Sequence, residues 1–142
     1  MDRKAEARWN GGLKSGNGNL KLGSGAFNGP YSFAGRFESG GGTNPEELLG
    51  AAHAGCFTMA LSASLEKAGH PATTVTTTAT VHLTKGDAGF SISGIDLVTR
   101  GVVPGVSEAE FVKFAEDTKT ACIVSRALSA VPMTVDAKLA TA

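Results

Sequence analysis

The stretch from Thr43 to Pro71 constrains the fold more than any other. Asn44 is a side-chain cap, Pro45 suits the first helical position because its missing N–H would have no partner there, and Glu46 and Glu47 favour the positive end of a helix dipole. Leu48 to Ala68 is then dominated by Leu, Ala, Met, Phe and Ser, and Gly69 followed by Pro71 closes the run. The apolar residues fall almost all round the cylinder. That pattern predicts a central buried helix and not a surface one.

The flanking segments have strand texture. Residues 5 to 37 break into short pieces, Ala5 to Trp9, Asn19 to Leu22 and Tyr31 to Phe37, which predict a meander of short strands joined by turns at Asn17-Gly18 and Asn28-Gly29-Pro30. Gly40-Gly41-Gly42 reads as a flexible loop feeding the helix. Beyond the helix, residues 74 to 84 and 90 to 100 alternate with period two around Lys85-Gly86-Asp87 and predict a hairpin. Ser107 with Glu110 forms a capping box for a second helix running to about Lys119. Cys122 to Leu128 continues that helix or begins a short new one, and Met133 to Leu139 reads as a last strand. Helices segregated from strands in this way predict an α+β fold with mostly antiparallel sheet.

A chain of 142 residues is the size of one domain, so residues 1–142 are read as a single domain. Thirteen basic and thirteen acidic residues cancel and are scattered, which argues against nucleic acid as a partner. The 42% hydrophobic and 18% charged composition fits a globular chain and no membrane association. The charged N-terminus, Met1-Asp2-Arg3-Lys4, has no apolar run behind it, so a cytoplasmic location is expected.

In a reducing compartment, the two cysteines, Cys56 and Cys122, are packing residues or chemistry. Cys56 lies mid-helix, where a buried packing thiol is the ordinary reading. If Cys122 begins a helix after Thr120-Ala121, its sulfur faces unpaired N–H groups that lower a thiol pKa. The pair fits an attacking and a resolving thiol, in which a sulfenic acid on the first condenses with the second. Two unrelated core thiols, or a structural disulfide, remain as other readings. His53, three residues before Cys56, is read as a packed or interface histidine, because two ligands do not make a metal site.

The run Gly42-Thr43-Asn44-Pro45-Glu46-Glu47-Leu48-Leu49-Gly50-Ala51-Ala52-His53-Ala54-Gly55-Cys56-Phe57 closely resembles the OsmC peroxiredoxins, relatives of the organic hydroperoxide resistance proteins. Tyr31-Ser32-Phe33, Arg36-Phe37-Glu38, Asp87-Ala88-Gly89-Phe90, Val103-Pro104-Gly105 and Cys122 with Val124-Ser125 carry the same resemblance. It implies an OsmC-like fold, with sheets wrapped around long central helices in an intertwined homodimer. It also implies a stress-defence peroxidase for organic hydroperoxides, with Cys56 peroxidatic and Cys122 resolving. Arg36 and Glu46 match the arginine and glutamate that activate the thiol and orient the peroxide. No metal or other cofactor is implied, and the reductant is an external dithiol such as dihydrolipoamide or a lipoylated protein. Ile123 stands where the resemblance implies proline.

A free thiol with a pKa of about 8.5 is only slightly ionised at neutral pH, so a cation such as Arg36 would make Cys56 a faster nucleophile. An alternative for Arg36 is a solvated strand residue paired with Glu38. Ten residues separate Glu46 from Cys56, about 15 Å of helical rise and about 80° off one face. Either the helix breaks between them, or Glu46 serves the Cys56 of a second subunit. Glu47 is the rival carboxylate, better suited to capping backbone N–H groups. Phe33, Phe37, Phe57 and Met59 are candidates to line an apolar peroxide pocket. The competing functional class is a small-molecule or lipid binding domain with structural cysteines.

Overall fold

A computed structural model describes residues 1–141. The chain divides into two compact units, Met1–Leu48 and the remainder from Leu49 on. The expected α+β class holds, with two three-stranded sheets of orders β1-β2-β3 and β4-β5-β6.

The first unit is an antiparallel meander of β1 (Ala5–Asn10), β2 (Asn17–Leu22) and β3 (Asn28–Tyr31). The expected turns are displaced: Asn17-Gly18 and Asn28-Gly29-Pro30 lie inside β2 and β3, and the chain reverses through residues 11–16 and 23–26. Gly18 is a packing glycine. It pairs with Trp9 on one side and Tyr31 on the other, and a Cβ there would come within 2.3 Å of the Tyr31 ring. The Trp9 and Tyr31 ring centroids are 5.3 Å apart. The expected strand from Tyr31 to Phe37 stops at Tyr31, and α1 (Phe33–Phe37) follows because the Ser32 hydroxyl accepts the Gly35 N–H at 2.9 Å.

Helix α2 (Pro45–Lys67) begins and ends where expected. Asn44 Oδ1 accepts the Glu47 N–H at 2.8 Å, and Gly69, at φ 86°, turns the chain out. Its burial differs from the expectation. Gly50, His53, Phe57, Leu61 and Leu65 form a buried face, while Ala52, Gly55, Met59 and Ala63 on the other side are exposed. Only 28% of the most apolar stretch is buried, although the helix is long and apolar enough to cross a membrane. The physical reason is that a single chain supplies only one packing surface for an all-round apolar helix.

In the second unit, β4 (Thr74–Gly86) and β5 (Gly89–Val102) form the expected hairpin. Val75, Thr77, Ala79 and Val81 turn inward from β4, and Ile95, Leu97, Thr99 and Gly101 from β5. Helix α3 (Glu108–Ala121) starts at the expected Ser107–Glu110 capping box and carries the chain to β6 (Met133–Leu139), parallel to β5. Phe57, Leu61 and Leu65 of α2 join Ile95, Leu97, Phe111 and Ala115 in the core. Burying each of these large side chains is worth about 1.5–3 kcal/mol. Cys122 ends α3 and opens the short α4 (Ile123–Ala127).

Candidate active site

The candidate residues form two clusters, one in each unit. In the first, Arg36 sits in the last turn of α1 and Glu46 in the first turn of α2. Arg36 donates from Nη2 to Glu46 Oε1 at 2.7 Å and from Nε to both carboxylate oxygens at 3.2 Å. Glu46, not Glu38, is therefore its carboxylate partner, and Arg36 belongs to a helix, not a strand. The side chain of Glu46 is 10% exposed and that of Arg36 is 39% exposed. Such a bidentate grip fixes the plane of the guanidinium and leaves Nη1 for another acceptor. The Phe37 ring lies 5.1 Å below the guanidinium carbon.

Arg36 borders a cavity of about 360 Å³ lined also by Trp9, Leu13, Tyr31, Phe33 and Phe37. Two of the four residues expected to line an apolar pocket, Phe33 and Phe37, do so here. Phe57 instead is fully buried core, and Met59 is 76% exposed. Among the described residues, the Glu47 carboxylate accepts the Thr43 hydroxyl at 2.7 Å and no backbone N–H.

In the second cluster the Cys56 and Cys122 sulfurs are 3.1 Å apart, both as free thiols. A disulfide bond is about 2.05 Å long, so small side-chain rotations would join them. Cys56 is half-buried and Cys122 is 1% exposed. Burial pushes the Cys122 thiol up. The Ser125 N–H, the Cys56 sulfur, the Ser125 hydroxyl and the Val124 N–H outweigh it, and hold Cys122 below the ordinary thiol value. The helix starts here without the proline: Cys122 adopts φ −58°, ψ 128°, and Ile123, 74% exposed, takes the first helical position.

His53 is fully buried, as a packed histidine would be, and its Nε2 lies 2.7 Å from Ser125 Oγ. Burial holds its pKa below 6.5. Ser125, 3% exposed, is the residue that sequence reasoning missed. The equal spacing of His53-x-x-Cys56 and Cys122-x-x-Ser125 was the available signal, since two such pairs on packed helices meet as a square. Elsewhere, His82 Nε2 lies 2.6 Å from Asp96 on the exposed side of β4 and β5.

Known proteins resemble this chain over nearly its whole length. The model of the OsmC-like protein family matches residues 38–136. Peroxiredoxin OsmC of Escherichia coli (strain K12) is 46% identical over 140 residues, which is 98% of this chain and 97% of that protein. Peroxiredoxin OsmC of Shigella flexneri matches equally. Among solved structures, an organic hydroperoxide resistance protein from Elizabethkingia anophelis has a TM-score of 0.71 at 26% identity, over 97% of this chain and 99% of that one. The organic hydroperoxide resistance protein OhrB of Bacillus subtilis shares the fold, with a TM-score of 0.72 at 22% identity over 96% and 98% of the two chains.

Proposed function

The chain belongs to the OsmC-like protein family and is a peroxidase of the peroxiredoxin type, and from that premise we propose that it reduces organic hydroperoxides to alcohols, and hydrogen peroxide less well, in oxidative or osmotic stress defence. Cys56 is the attacking thiol and Cys122 the resolving thiol. The Cys56 thiolate takes the terminal peroxide oxygen, the O–O bond breaks, and the alkoxide leaves as alcohol after taking a proton. The Cys122 thiolate then attacks the sulfenic sulfur of Cys56; the S–S bond forms as the S–O bond breaks, and hydroxide leaves to become water. An external dithiol such as dihydrolipoamide, or a lipoylated protein, restores both thiols, with no metal or bound cofactor.

The observation supporting this division of labour is the 3.1 Å sulfur separation, with Cys56 the more accessible of the two. A binding domain with structural cysteines gives no reason for two free thiols at that distance. The cavity beside Arg36 is the proposed seat of the organic tail, because a mostly aromatic wall favours an alkyl group over water.

The exposed stripe of Ala52, Gly55, Met59 and Ala63 supports a homodimer in which α2 packs against a second copy. That the Arg36–Glu46 pair of one chain serves Cys56 of the other is part of the proposal. A cytoplasmic location is part of the proposal.

The test is consumption of cumene hydroperoxide and hydrogen peroxide by wild type, Cys56→Ser and Cys122→Ser, with dithiothreitol and dihydrolipoamide as reductants. Preference for the organic peroxide, abolished by Cys56→Ser, is the expected result. Equal turnover by Cys56→Ser would overturn the assignment.

A further inference from the structure

The square of side chains around the two sulfurs holds two members that the peroxidase reaction, as described, does not use. His53 and Cys56 are three residues apart on α2, and Cys122 and Ser125 are three apart across the start of α4. The cross-connections are Cys56 Sγ to Cys122 Sγ at 3.1 Å and His53 Nε2 to Ser125 Oγ at 2.7 Å. His53 is 0% and Ser125 3% exposed, so neither is a surface residue that meets its neighbour by chance.

The direction of the His53–Ser125 bond follows from the other ring nitrogen. Among the described residues, His53 Nδ1 is buried with no hydrogen-bond partner. If the Ser125 hydroxyl donated to Nε2, the ring proton would sit on Nδ1 as an orphaned buried N–H, which folded proteins rarely tolerate. With the proton on Nε2, Nδ1 is only a bare acceptor, the less costly defect. Nε2–H then donates to Ser125 Oγ, which leaves the single hydroxyl proton of Ser125 for another acceptor, and Cys122 lies three residues before it at the start of α4.

We propose that His53 and Ser125 form a two-residue device that stabilises the resolving thiolate: His53 orients the Ser125 hydroxyl, and Ser125 donates its proton as a hydrogen bond to Cys122 Sγ. The inference rests on Cys122 acting as the resolving thiol. Its consequence is that a larger share of Cys122 is thiolate when the Cys56 sulfenic acid forms, which eases S–S bond formation. The proton lost earlier by Cys122 is balanced by the one the departing hydroxide takes up. Ser125 is the hydrogen-bond donor to a reacting atom, and His53 is a positioning residue behind it.

Among the described residues, no rival cation accounts for the same effect within this unit. Besides Cys56, the groups acting on the Cys122 sulfur are the N–H and O–H of Ser125 and the N–H of Val124. Lys119 on α3 is committed to Glu116 at 2.8 Å, and Arg126 on α4 is exposed. The inward residues of β4, β5 and β6 carry no ionisable group.

The test is titration of Cys122 by its ultraviolet thiolate absorbance in a Cys56→Ser background, an equilibrium readout that buried position does not limit and that needs no peroxide. Ser125→Ala is expected to raise the midpoint by about one unit, the worth of a hydrogen bond to a charged group. His53→Leu is expected to raise it by less, while Ser125→Thr and His53→Gln, which keep a donor in place, stay near the parent. In the protein with both cysteines, single-turnover experiments with cumene hydroperoxide should then show a longer-lived Cys56 sulfenic acid in Ser125→Ala. A folded Ser125→Ala with the parent's midpoint would overturn the proposal. Should that variant not fold, an unchanged midpoint in folded His53→Leu would overturn the role of His53, and a raised midpoint would sustain it. Because the titration involves no catalysis, failure of the peroxidase assignment and failure of this device give different results.

Discussion

The Arg36–Glu46 pair yields a double-mutant prediction whose size follows from its geometry. Arg36→Lys keeps one positive charge but loses the planar fork. Three donor–acceptor contacts, at 2.7, 3.2 and 3.2 Å, become at best one or two from a single ammonium. A hydrogen bond to a charged partner is worth about 1.5–3 kcal/mol when desolvated. The Arg36 side chain is 39% exposed, so water replaces part of that and the loss is set near the low end, about 1–1.5 kcal/mol. If the fork's function is to hold the guanidinium for the reacting sulfur and peroxide, kcat/KM for cumene hydroperoxide falls about tenfold. Glu46→Gln, which keeps the shape but removes the charge that orients Arg36, falls by a similar factor. Residues acting as one unit are not additive, so the double variant should lose little more than either single one. Initial rates at subsaturating peroxide with excess dithiothreitol measure all four proteins. Losses that multiply, to about a hundredfold in the double variant, would refute the view that the two residues act as one unit. An Arg36→Lys variant at full activity would refute any role for the fork.

Three further outcomes are expected. Mixing Arg36→Ala and Cys56→Ser chains, each inactive alone, should restore about a quarter of wild-type activity, if each site draws on both copies of a dimer; no recovery in chains shown to exchange would place the pair and Cys56 in one chain's site. Gly101→Ala places a methyl 2.6 Å from the buried Phe111 ring, so the second unit should lose about 1–3 kcal/mol, read as a lower Tm, with Phe111→Leu restoring part of it. Burial lowers the His53 pKa from its ordinary value of 6.5, so the unfolded chain binds the extra proton first; stability should fall as pH drops below about 6.5, and the decline should be shallower in His53→Gln by denaturant titration at several pH values.

Much of this architecture was legible from residue order. The Asn44-Pro45 start, the Gly69 stop, the Ser107–Glu110 box and the Thr-rich hairpin each rest on local rules, and local rules were enough. The first sheet was misread where glycine had a packing role. Gly18 reads as a turn because Asn precedes it, yet it is there to let Trp9 and Tyr31 approach, a requirement set by two strands at once. The helix at Phe33–Phe37 was hidden for the opposite reason: its aromatic residues look like strand, and the Ser32 cap decides otherwise. In the site, the bond from His53 to Ser125 spans 72 residues, and the Arg36–Glu46 pairing came only from the resemblance. The partial burial of α2 was illegible because periodicity reports how much of a helix is apolar, not how many chains cover it.

The 66-residue separation of the two touching sulfurs has a consequence in chain entropy. A bond between them would tie a loop of that length, which restricts the unfolded chain and favours the folded oxidised protein by about 4 kcal/mol in the loop-closure account. The spent form would then melt higher than the working form. The same free energy appears in the couple as roughly 90 mV toward lower potential, since about 30 mV corresponds to 1.4 kcal/mol for two electrons. An enzyme built this way would close readily and be hard to reopen, so its turnover would depend on a strongly reducing dithiol more than on the supply of peroxide.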